Sequence, residues 1–121
     1  MRSIPRIVAV LAALLLSIPA AAQQPAAERF RQLLAEDWEF RVRESPLFAT
    51  SLGIRTANDR LDDVSLAATH RRAGEIRALL DRLRAIPRDS LDPAARVNYD
   101  ILLRQRREDV EEYELKLYLI P

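Results

Sequence analysis

The sequence predicts an all-α fold of three main helices and one short one. Three observations carry this expectation. Only two glycines, Gly53 and Gly74, occur in 121 residues, too few for a turn-rich β fold. Ala, Leu, Arg and Glu dominate, and these residues favour helix. Apolar residues recur at helical spacing wherever the chain is not punctuated by Pro, Gly or Asp.

The chain opens on a segment of a different kind. Arg2 and Arg6 make a basic head, Ile7 to Ile18 is apolar apart from Ser17, and Pro19 precedes Ala20, Ala21 and Ala22. A basic start, a short apolar middle and a small-residue exit form a secretory signal peptide over residues 1–22, cleaved between Ala22 and Gln23. The alternative, an uncleaved anchor, is disfavoured because a bilayer span needs about 20 apolar residues. No stable membrane span is expected after cleavage. Export to the periplasm or beyond follows.

The absence of cysteine excludes a lipid-modified cysteine, disulfides and thiolate metal sites. Removing residues 1–22 takes away two of the 19 basic and none of the 18 acidic residues, so the net charge changes from +1 to −1. A near-neutral chain with interleaved charges has no electrostatic case for nucleic acid.

Residues 23–121 then read as one helical segment. A loose leader runs from Gln23 to about Ala27. The first helix is expected from about Ala26 to Glu44, with Phe30, Leu33, Leu34, Trp38, Phe40 and Val42 covering more than half of its circumference. That face is wider than a lone surface helix shows and implies contact from more than one side. Ser45 and Pro46 are a cap and a first-turn proline for a short helix, which Gly53 stops in a left-handed conformation. Ile54 to Val64 reads as a loop.

Ser65 caps the next helix, Leu66 to about Ile86, which Pro87 ends. Its stripe is Leu66, Ala73, Ile76, Leu80 and Leu83. Its polar face suggests the i,i+4 pairs Arg71–Glu75 and Arg77–Asp81. Asp92 and Pro93 start the last helix, expected to reach about Tyr118. One stripe there is Tyr99, Leu102, Leu103, Val110, Tyr113 and Leu117. A second, on another side, is Val97, Ile101, Leu115 and Leu119. The apolar run Leu117 to Pro121 reads as an interrupted pattern.

No set of residues could carry out a reaction, so no catalytic, cofactor-binding or metal residue is expected in this chain. His70, the single histidine, lacks the partners a zinc site needs and reads as solvated. Asp37, Arg41 and Glu44 form a polar row through the apolar face of the first helix. Such a row either faces a substrate cavity in a larger protein or forms a partly buried ion-pair network that fixes helix packing. The network is the favoured reading. Arg106 lies within the last helix's main stripe and either pairs with an acid on another helix or snorkels outward along its stem; snorkelling is the favoured reading. Trp38, Tyr99, Tyr113 and Tyr118 read as core or packing residues rather than a binding box. No Gly-x-Ser-x-Gly or glycine-rich phosphate loop is present.

Four segments resemble one known family. Trp38–Gly53 (WEFRVRESPLFATSLG) is similar to the opening of the bacterial "domain of unknown function 885" proteins. Asp59–Asp63 (DRLDD), Arg77–Leu83 (RALLDRL) and Arg96–Leu103 (RVNYDILL) follow in the family's order. The resemblance implies a mostly helical, exported protein several times longer. Its later part would carry a His-Glu motif like that of thermolysin-like zinc metallopeptidases, in which a glutamate activates zinc-bound water. Zinc is thus implied for the full-length family and for no position here. The implied partner is the remainder of the parent protein or another helical surface.

Overall fold

The computed structural model describes residues 25–120, so the signal-peptide reading lies outside the described residues. Over this span the chain is all-α, as expected. The helices are α1 (Ala26–Glu44), α2 (Pro46–Ser51), α3 (Leu66–Arg84) and α4 (Pro93–Glu114), with short 3-10 turns at Arg55–Ala57, Arg88–Ser90 and Leu117–Leu119.

The three long helices run up, down and up. Ion pairs between α1 and α3 fix their antiparallel course: Glu36 meets Arg82, Arg43 meets Glu75 and Glu44 meets Arg71. Phe30 touches Tyr99 and Asp37 meets Arg106, so α1 and α4 advance in the same direction. The core gathers at one end of this bundle. Phe30 and Leu33 meet Leu79 and Leu83, Ile86 and Leu91 from the connection, and Tyr99 and Leu102. Each large side chain buried there contributes about 1.5–3 kcal/mol of transfer free energy.

Local chemistry explains most helix ends. Ser65 accepts from the Ala68 N–H (3.2 Å) and Asp92 from the Ala95 N–H (3.0 Å), the caps the sequence suggests. Gly53 has φ +79°, and its N–H donates to the Thr50 carbonyl while that of Ile54 donates to Ala49. This paired closure satisfies the last carbonyls of α2, and the left-handed residue it needs suits glycine.

Several expectations need correction. Ser45 makes no side-chain cap on α2. Asp62, from the following loop, accepts instead from the Leu47 N–H (3.0 Å) and from the Ser45 hydroxyl (2.6 Å). A carboxylate is the stronger acceptor for those donors. Helix α3 ends at Arg84, not Ile86, because Ile86 turns into the core. Arg77 pairs with Glu114 of α4 (3.2 Å), not with Asp81. Helix α4 ends at Glu114, since Lys116 adopts a left-handed conformation (φ 56°) and the chain folds back. Trp38 is 47% exposed and packs edge-on against Phe48 rather than in the core. The second stripe of α4 has no partner among the described residues: Val97 is 59% and Ile101 49% exposed.

Candidate functional site

Two groups of polar side chains lie between the helices. The first is buried where α1 faces α4. Arg106 is 7% and Asp37 6% exposed. The guanidinium lies 3.2 Å from Asp37 Oδ1 through Nε and 2.7 Å from Asp109 Oδ2 through Nη1. Arg106 therefore does not snorkel. Two carboxylates reach it inside the bundle, one from α1 and one a turn further along α4, and their attraction outweighs the gain from an extended stem.

The charges are close, but Asp37 Oδ1, Arg106 Nε and Asp109 Oδ2 make no well-directed hydrogen bond. Proximity without alignment leaves much of the desolvation cost uncompensated. Burial accordingly pushes the Asp37 carboxyl up, with the charges of Arg106 and Arg41 pulling the other way. Burial pushes Asp109 up as well, against the same two arginines.

The second group joins α1 to α3. The Arg71 guanidinium grips Glu44 through two bonds, Nη1–Oε1 at 2.9 Å and Nη2–Oε2 at 2.7 Å, and also reaches Glu75 at 2.7 Å. Arg43 bonds Glu44 (2.8 Å) and Glu75 (2.6 Å). Arg71 above all, and then Arg43, hold the Glu44 carboxyl down at about 2.

The row Asp37, Arg41, Glu44 thus divides between neighbours. Asp37 faces α4, Glu44 faces α3, and Arg41 lies over the Phe48 ring with its guanidinium 4.8 Å from the centroid. The divergence follows from geometry, because α3 and α4 approach opposite flanks of the face on which the row sits. Asp109 is the member of the buried group that sequence reasoning missed. Its i,i+3 spacing from Arg106 was the available signal.

His70 is exposed, and its Nδ1 lies 2.6 Å from the Tyr113 hydroxyl. The Tyr113 and Tyr118 rings stack at 5.4 Å, with His70 edge-on to both. Beside them is a cleft of about 340 Å³ between α3 and α4, lined by Thr69, Ala73, Ile76, Asp109, Tyr113 and Leu117 among others.

A zinc centre does not fit these surroundings. No cluster of three or more His, Cys, Asp or Glu suited to a metal stands among the described residues, and His70 has Tyr113 at its Nδ1. Among the described residues no helix is long and apolar enough to cross a membrane.

Comparison with known proteins gives one match. No curated protein and no solved structure is similar to the chain. The profile of the family described as "Bacterial protein of unknown function (DUF885)" matches residues 46–120, from the first residue of α2 through the fold-back after α4. That match covers more than half of the sequence, and the chain belongs to the DUF885 family of bacterial proteins.

Proposed function

We propose that the chain is the N-terminal helical portion of an exported protein resembling zinc metallopeptidases, in which it forms one wall of a larger helical shell. In this reading peptide hydrolysis belongs to the parent protein, by family resemblance. The chain supplies helices and no catalytic group, and it has no activity alone. The observation that carries the reading is the outward side of α4. Val97 and Ile101, one turn apart, and Leu115 further along are exposed large apolar residues on one face. Trp38, Leu47 and Leu52 add exposed apolar surface at the α1–α2 corner. Exposed large apolar residues grouped on a helix face mark a contact region in a folded protein. The signal-peptide pattern of residues 1–22 supports export.

Expression of residues 23–121 tests the proposal through helicity, thermal melting and sedimentation. The expected result is a helical chain that melts broadly, binds an apolar dye and self-associates. A cooperatively melting monomer that binds no dye overturns it.

The same exposed stripe also supports a second reading, a free-standing periplasmic helical module that binds another helical surface. The DNA downstream of Pro121 separates the two. A frame that continues into a His-Glu motif, directly or after a single-base correction, favours the enzyme portion. A genuine stop codon favours the module.

A further inference from the structure

We propose that residues 115–120 are a two-state strap: folded back in this structure, and in the other state continuing α4 as helix as far as Leu119 and opening the cleft beside α3. The first observation is backbone conformation. Lys116 has φ 56° and ψ 34°, and it is the one non-glycine residue with positive φ among the described residues. That region is unfavourable for an L-residue with a Cβ and long side chain.

The second observation is that nothing local forbids helix as far as Leu119, the residue before Pro121 being the first that proline disfavours. Residues 115–120 contain neither Gly nor Pro, and Leu and Lys are good helix formers. Leu117 falls four residues after Tyr113, so an extended α4 would prolong its stripe.

The third observation is how little holds the fold-back. Its backbone bonds are Lys116 N–H to Tyr113, Leu119 N–H to Lys116 and Ile120 N–H to Leu117, each 3.0 Å. Leu115, Leu117, Leu119 and Ile120 all stay exposed, so burial does not lock the segment. What favours it is Tyr118, stacked on Tyr113 and edge-on to His70. An aromatic pair and a left-handed lysine are effects of similar size and opposite sign. Near-balance between two arrangements is the condition for a switch.

The consequence concerns the cleft. Leu117 and Tyr118 form one of its walls, facing Ala73 and Ile76 of α3. Straightening α4 at Lys116 removes that wall and lays the α3 surface open.

Solution NMR on the purified chain tests this, reading Cα shifts of residues 115–120 and ring contacts between Tyr118 and His70. Lys116→Gly relieves the left-handed residue and penalises helix, so it should shift the ratio toward the strap roughly tenfold. Tyr118→Ala removes the stack and should give helical Cα shifts through Leu119. Signals of residues 66–110 report whether the rest of the fold is intact in each variant. The proposal is overturned if both variants keep the wild-type shifts at residues 115–120, or if Tyr118→Ala retains the fold-back.

Discussion

Arg106 of α4 and Asp37 of α1 meet 3.2 Å apart inside the bundle, and each is more than nine-tenths buried. Asp109 lies on the other side of the same guanidinium, at 2.7 Å. One cation thus serves two carboxylates from two helices. Losing the cation is therefore worse than losing either anion.

Arg106→Ala should destabilise the chain by about 3–5 kcal/mol, because it strands two half-buried or buried carboxylates. Asp37→Ala should cost less, since Arg106 keeps Asp109. Replacing the pair together, Asp37→Leu with Arg106→Met, should recover only part of the loss, because Asp109 stays without its cation. Urea denaturation of the three variants checks the order. An Asp37→Ala loss equal to that of Arg106→Ala would show that Asp109 is not a working partner.

Glu44 sets an acid-sensitive contribution to stability. Its folded pKa of about 2 lies below the ordinary value of 4.5. A depressed carboxylate stabilises the fold fully above its unfolded pKa, and that contribution is lost as pH falls from 4.5 towards 2. Asp37 and Asp109 act in the opposite sense: with raised folded pKa values, they weaken the fold as pH rises through the range just above 3.8. Glu44→Gln should cost about 1 kcal/mol at neutral pH, a modest figure because Arg43 and Arg71 are half exposed. It should also flatten the loss between pH 4.5 and 2. Chemical denaturation at a series of pH values reads both effects.

The cap on α2 comes from Asp62, fifteen residues beyond Leu47. Asp62→Ala should cost about 1 kcal/mol and Ser45→Ala less, since Ser45 makes no side-chain cap of its own. Hydrogen exchange at the Leu47 amide should speed up in Asp62→Ala while exchange in α3 stays unchanged. Equal exchange at Leu47 in both proteins would remove Asp62 from this role.

The two glycines should respond with opposite signs. A Cβ at either position meets nothing within 4 Å, so space does not decide the outcome. Gly53 holds φ +79°, where Gly53→Ala should cost about 1 kcal/mol. Gly74 is an exposed position inside α3, where Gly74→Ala should add about 0.5–1 kcal/mol. Thermal melts of the two variants should move in opposite directions from wild type.

Periodicity and punctuation by themselves determined the all-α class, the starts of α1, α3 and α4, the caps Ser65 and Asp92, and the stop at Gly53. These are local matters, settled by side chains within a few residues of the backbone they act on. The DUF885 resemblance was legible too, because it lies in contiguous segments. Tertiary structure alone decided which helix each face of α1 meets, and so sent Asp37 to Arg106 and Glu44 to Arg71. It also decided that Asp62 rather than Ser45 caps α2, that Arg106 is buried between two carboxylates, and that α4 breaks at Lys116. Each of those outcomes depends on a partner at least fifteen residues away, or on a balance of small energies between a stacked ring and a strained backbone. Spacing along one helix carries no information about which charge on another will reach it first.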